Sequence, residues 1–274
     1  MGGWTADPFQ LAPILVVGGA YARRAWTLRR RGRPVPAARL AAFAAALVAL
    51  TLAVVSPLDT LGESRLFSLH MAQHVLLGDV APLLVVLGLS GPLLRPLLAL
   101  PLAGRLRALA HPLVALPLWA LDLYLWHVPA LYDAALRHDA VHALQHLCFF
   151  SCGVLLWTVL LEPLPGPRWY GNGARLVSLA LVWIAGGVLS NLLLWTGHAF
   201  YSPYLRASRT WGLTPYADQQ LGGGIMLVEM SFVVFGVAIW LGVRWLAESE
   251  RRQRLVDAGV APDAAARAVR YGRG

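Results

Sequence analysis

The sequence contains no lysine: all 23 of its basic residues are arginine. It has little charge of either sign, with Asp, Glu and Arg making 14% of the 274 residues, against about 25% in soluble domains. That scarcity, together with 58% hydrophobic residues and a mean hydropathy of +0.59, excludes an ordinary water-soluble domain. The formal charge of +9 does not indicate nucleic-acid binding, because the arginines collect between hydrophobic segments instead of tiling one face. Cysteine is scarce too. Cys148 and Cys152 share one apolar run, so no extracellular disulfide framework is expected. The opening "MGGWTADPFQ" lacks a basic leader, so no cleavable signal peptide is expected.

Long apolar runs are what the sequence has in their place. A hydrocarbon core of roughly 30 Å needs about 20 apolar residues as helix. Seven segments qualify, near 8–25, 38–57, 64–90, 112–130, 138–161, 174–197 and 217–246. The expected fold is therefore all-α: a polytopic seven-helix membrane bundle over residues 1–246, followed by a charged cytoplasmic tail over 247–274. Pro82 predicts a kink in the third span. The proline-broken "GPLLRPLLALPLAGRLR" after it reads as an interfacial or re-entrant loop. Arginine placement orients the bundle. Only Arg65, Arg137, Arg206 and Arg209 fall in one set of alternate loops; the other nineteen, Arg168 and those of the tail among them, fall on the opposite face. That face is expected to be cytoplasmic, with the N-terminus outside and the C-terminus inside.

Against this background "HMAQHVLLGD", from His70 to Asp79, stands out, because ionisable groups inside a bilayer are costly and by default functional. On the expected topology His70, His74, His127, His138, His142, His146 and His198 all fall in the outer layer, and only His111 on the cytoplasmic side. Residues four apart on a helix differ by about 40° and about 6 Å, so His70 and His74 share a face, as do His138, His142 and His146. Imidazole suits copper, zinc and iron, and a thioether such as Met71 adds softness suited to Cu(I). The plainer alternative is that each histidine bonds a backbone carbonyl or a neighbouring helix; Met71 reads equally as packing. Cys148 lies about 200° from His146 and Asp79 about 180° from His70. The cysteines therefore read as packing residues, and Asp79 as a helix–helix hydrogen-bonding group. Asp122 and Glu229 are further buried acids, open to a proton path or a structural pairing. Asp218 and Gln219 enter the last span at the histidine level.

The blocks "HMAQHVLL", "APLLVVLG", "LWHVPALYDAAL", "VHALQHLCFFSCGVLLW" and "ADQQLGGGIM", in this order over roughly residues 60–235, resemble the CtaG family of cytochrome c oxidase assembly factors, the seven-helix membrane type. The resemblance implies a multi-pass protein of the bacterial cytoplasmic membrane that acts on oxidase subunits by supplying copper. It carries His70, His74, His127, His142, His146 and Asp218 as site residues; His198 falls in a variable loop. Residue chemistry and resemblance together lead to an outward-facing site of three or four imidazoles, with or without Met71, that captures copper and passes it to an oxidase subunit. Such a carrier is no enzyme and needs no general base. Two other readings keep the same histidines. One is an intramembrane zinc hydrolase, with Asp218 or Asp79 polarising a metal-bound water. The other is a haem site with axial ligands such as His74 and His142. An assembly scaffold with structural histidines is a third.

Overall fold

A computed structural model describes residues 3–4, 8–101, 103–164, 166–167, 169–207 and 211–271. Among these, all regular structure is helical. The order is α1 (Pro8–Arg30), α2 (Ala37–Val55), α3 (Pro57–Ser64), α4 (Phe67–Val75), a π-helical turn (Leu76–Val80) and α5 (Ala81–Gly88). Then come α6 (Gly91–Leu98), α7 (Ala103–Leu109), α8 (Pro112–Trp126), α9 (Pro129–Arg137) and α10 (Asp139–Leu161). The chain closes with α11 (Asn172–Trp195), α12 (Ser202–Arg206), α13 (Pro215–Asp257) and α14 (Pro262–Tyr271).

Among the described residues, five helices are long and apolar enough to cross a bilayer: α2, the continuous run Phe67–Gly88, α10, α11 and α13. A sixth appears if α7 and α8 count as one span bent by 70°. The expected count of seven is not confirmed by length and hydropathy. The segment 8–25 lies in a helix that also carries Arg23, Arg24, Arg29 and Arg30, which lowers its hydropathy. The segment 112–130 yields only the 15 residues of α8, because Pro129 starts a separate helix and the residue before a proline is pushed out of the helical region. No break occurs at 246; α13 continues to Asp257 and α14 folds back on it. Arg168, Arg209 and Arg273, used above for orientation, lie outside the described residues.

The core runs the length of the bundle. Leu156, Trp157 and Leu160 of α10 meet Leu179 and Val182 of α11 and Met230, Val234 and Leu241 of α13. A second cluster joins Phe67 and Met71 of α4 to Leu189, Leu193, Met226 and the tyrosines Tyr132, Tyr201 and Tyr204. Outward-facing residues of the same helices are apolar too, with Phe232, Ile239 and Val243 exposed, as a lipid-facing surface requires. One end of the bundle is tied by arginines. Arg24 donates to the Pro92 carbonyl (2.7 Å), Arg39 to the carbonyls of Leu87 and Leu89, and buried Arg175 pairs with Glu162 at the carboxyl end of α10. His142 lies twenty residues before Glu162 on the same helix, about 30 Å away at 1.5 Å per residue, so His142 and this arginine-tied end lie at opposite ends of α10.

The kink expected at Pro82 takes a specific form. Proline lacks the N–H that would bond the carbonyl four residues back, and its ring crowds that carbonyl. Here the helix widens into the π turn, whose Ala81 N–H reaches the Leu76 carbonyl. The Gly78 carbonyl that Pro82 releases presses onto α10 at Gly153, where an added Cβ would sit 2.1 Å from Gly78 O and 2.8 Å from Pro82 Cγ. Only glycine allows that approach. Gly153→Ala is expected to destabilise the protein by about 1–3 kcal/mol, the usual range for overpacking, and to lower its thermal midpoint in detergent; an unchanged midpoint would show that α10 does not need this contact.

Candidate metal centre

The site begins with the chain turn that starts α4. Ser56 caps α3 by accepting from Leu58 N (3.3 Å), and Pro57 supplies its first residue. Eight residues later the chain turns into α4, whose first N–H groups need acceptors. Asp218 of α13 provides them. Its carboxylate accepts from Phe67 N (2.6 Å), Ser68 N (3.1 Å) and the Ser68 hydroxyl (2.5 Å). Asp218 is therefore the buried cap of α4, and the structure does not bring it into the histidine group, contrary to the expectation above. Its favourable place at the positive end of a helix explains why the last span carries an acid at this level.

Capped in this way, α4 presents His70 and His74 toward His142 and His146 of α10. One ligand-type nitrogen from each of the four lies within 4.8 Å of the others. The rings meet edge to face, with centroids 5.3 Å apart for His70 and His142 and 5.7 Å for His74 and His146. A metal bound at about 2.0–2.1 Å by imidazole needs nitrogens roughly 3.3 Å apart in a tetrahedral site, so small side-chain rotations would close the group on an ion.

Hydrogen bonds fix which nitrogens are offered. The Tyr204 hydroxyl donates to the Gly62 carbonyl (2.7 Å), so it accepts from His70 Nδ1 at 2.9 Å. His70 then presents Nε2 as a lone pair, 2.7 Å from His74 Nε2. Glu63 Oε1 lies 2.8 Å from His142 Nδ1 and leaves Nε2 as the acceptor there. Carboxylate and hydroxyl partners of this kind set tautomer and ring orientation in metal sites. Gly62 also permits the close pass of α3, since a Cβ on it would stand 2.9 Å from His70 N. Three buried nitrogens, His74 Nδ1, His142 Nε2 and His146 Nε2, have no hydrogen-bond partner. A buried unsatisfied polar atom costs about 1–3 kcal/mol, a cost that a ligated ion would offset at several atoms together. The donor set thus fits a borderline or soft metal.

The remaining residues singled out from the sequence separate from this group. Met71 is fully buried against Phe67, Leu193 and Met226. His127 donates through Nδ1 to the Leu123 carbonyl (2.7 Å) and stands beside Phe149. His111 accepts from Leu113 N at the start of α8, and His198 is exposed near Thr196. Asp79 accepts from Trp157 Nε1 (2.6 Å) across to α10 and is hydrogen-bonded to Glu229. Gln219 ties the 193–200 segment by accepting from Phe200 N and donating to the carbonyls of Leu193 and His198. Glu63 and Tyr204 escaped sequence reading. Glu63 pairs with His142 on a distant helix, which no local spacing marks, and nothing in "YSPYLR" marks a tyrosine behind a histidine.

A family model for the caa3-type cytochrome c oxidase assembly factor matches residues 19–248. The chain belongs to that family. Among individual relatives, uncharacterized proteins of Mycobacterium bovis and Mycobacterium tuberculosis are each 29% identical over 286 residues, covering 95% of this chain and 42% of theirs. One of Mycobacterium leprae is 27% identical over 267 residues, covering 90% and 40%. The chain thus spans less than half the length of the curated relatives it matches. No solved structure matches it significantly.

The histidine group is reached from one side. A groove of about 730 Å³ between α1, α2 and α10 runs along apolar residues such as Ile14, Leu47 and Phe150 and ends at Asp59, Glu63, Asp139, His142 and His146. Two substitutions separate the roles. Asp218→Asn, which weakens the cap, is expected to lower stability by about 1–2 kcal/mol with metal stoichiometry unchanged; loss of metal at full stability would return Asp218 to the ligand set. Glu63→Gln is expected to weaken metal affinity about 10- to 100-fold, the usual effect of losing an outer-sphere partner, read by competition with a chelator; unchanged affinity would make the Glu63–His142 pair structural only.

Proposed function

We propose that this oxidase assembly factor binds copper at His70, His74, His142 and His146 and passes it to a subunit of cytochrome c oxidase. The observation that carries the reading is the convergence of four imidazoles, with His142 Nε2 and His146 Nε2 buried and partnerless and with His70 and His142 oriented from behind by Tyr204 and Glu63. Neutral imidazole is a ligand for copper, and the family's work is the assembly of a copper-containing oxidase. The arginine-tied end is the cytoplasmic one by the positive-inside rule, which makes the histidine end outward-facing in the bacterial cytoplasmic membrane. The N-terminus lies outside and the C-terminus inside on this reading. Cargo captured there meets its client on the outer side, and a carrier of this kind needs no catalytic acid or nucleophile.

The zinc-hydrolase alternative draws on the groove beside His142 and His146, but its acids are misplaced. Asp218 is committed to α4, Asp79 to Trp157 and Glu229. Glu63 holds the Nδ1 side of His142, across the ring from a metal on Nε2. A haem between any two of these imidazoles would have to pass through the other two rings. Elemental analysis and an absorption spectrum of the purified protein, beside a His74→Ala, His142→Ala variant, test the proposal. Near-stoichiometric copper, lost in the variant, is the expected result. Zinc lost in the same way would transfer the site to the hydrolase reading, a Soret band to haem. No metal after copper loading under reducing conditions would make the histidines structural.

A further inference from the structure

All of the chain's methionines other than Met1 line one cavity. Met71 of α4 and Met226 and Met230 of α13 surround a space of about 60 Å³ in the middle of the bundle, and His74 and His127 line it with them. A space of that size holds a few water-sized groups. Methionine packs well anywhere in an apolar core, so three thioethers alone would mean little. The two imidazoles change this. A backbone carbonyl can only accept, so His127 Nδ1, 2.7 Å from Leu123 O, carries the ring proton and Nε2 is a lone pair. That Nε2 has no partner, and His127 is only 7% exposed. His74 faces the four-imidazole group with Nε2, while its Nδ1 also has no partner. Two buried, unpartnered ring nitrogens and three thioethers are thus gathered round one small space. Asp79, Asp122 and Glu229 also line it.

We propose that this cavity is a second metal station, separate from the four-imidazole cluster and selective for a soft monovalent ion, Cu(I), held by His127 and the thioethers of Met71 and Met226 with His74 between the two stations. The chemistry sets the selectivity: thioethers and neutral imidazole favour Cu(I), whereas Zn(II) prefers thiolate, imidazole and carboxylate. His74 belongs to both stations. With its proton on Nε2, as the contact with His70 arranges, Nδ1 is the lone pair on the cavity side. With the proton on Nδ1, Nε2 serves the cluster instead. Cargo has a place to rest within one side chain of where it is captured. The inference rests on the copper reading of the four-imidazole cluster for its cargo, though not for its geometry.

Anaerobic Cu(I) titration and copper X-ray absorption on the full chain in nanodiscs test it, with three proteins compared. The wild type is expected to hold two Cu(I) per chain, with sulfur among the copper neighbours. Met71→Leu, Met226→Leu is expected to hold one, with nitrogen neighbours only, and to keep Zn(II) binding at the cluster, which also shows that it is folded. His70→Ala, His142→Ala is expected to keep one ion with sulfur neighbours. A single nitrogen-bound copper in the wild type, unchanged in the methionine variant, would overturn the second station and leave the cluster standing. A single sulfur-bound copper that survives the His70, His142 variant would support the second station and remove the cluster. No copper in the wild type would overturn both.

Discussion

An imidazole has two nitrogens and, inside hydrocarbon, each needs something to bond. The four-histidine group depends on how that demand is divided. Tyr204 and Glu63 take Nδ1 of His70 and His142, so the nitrogens left facing one another are the ones able to ligate. Without those partners the rings could turn outward to backbone carbonyls, as His127 does toward Leu123. The group would then dissolve into four separately satisfied side chains. Buried polar networks are stable only when satisfied, and this one is satisfied on the α4 side, where His70 and His74 bond each other through Nε2, while His142 Nε2 and His146 Nε2 on α10 have no partner. That asymmetry distinguishes it from a structural histidine network.

The backbone devices follow from the need to hold α4 and α10 at one spacing. Asp218 fastens the start of α4 to α13, and the π turn lets the same run pass Pro82 without breaking. The carbonyl released by Pro82 rests on Gly153, so the two helices touch backbone to backbone just below the histidines. A one-turn slip there would carry His142 and His146 about 5.4 Å along the helix axis and out of reach. π turns are often found at functional sites; here the physical reason is a proline whose missing N–H is used to set the distance between ligand-bearing helices.

Much of this was legible in the sequence because it is periodic or costly. The long apolar runs marked the spanning helices, and the i,i+4 histidine pairs named all four members of the cluster before any coordinates. In "LGGGIM", Gly222 allows a close approach to Phe67 and Met71. The seven-span count stays unconfirmed where hydropathy is diluted by arginine in α1 and where proline cuts α8 short. Asp218 was misread because an acid at the level of the histidines looks the same in sequence whether it faces a metal or a helix terminus. Glu63 and Tyr204 were invisible for a related reason: their roles come from short helices, α3 and α12, whose placement depends on long-range contacts such as Tyr204 with Gly62. The methionines carry the same ambiguity, since thioether spacing on two helices says nothing until the helices are docked.

The two halves of the cluster are not equivalent, and this bears on how an ion could leave it. His70 is held by a tyrosine that is itself buried and bonded to backbone. His142 is held by Glu63, whose side chain is 38% exposed at the groove mouth. Water can take the place of the part-exposed Glu63 carboxylate behind His142, whereas nothing replaces the buried Tyr204 hydroxyl behind His70, so the α10 half is the freer of the two to reorient. Ligand exchange with an incoming client requires some protein ligand to let go first. The ring that lets go most easily is His142, the one that borders the groove together with His146. On the copper-carrier proposal, capture by four imidazoles and release through the two on α10 would draw on one difference, between a buried hydroxyl and a part-exposed carboxylate behind the rings.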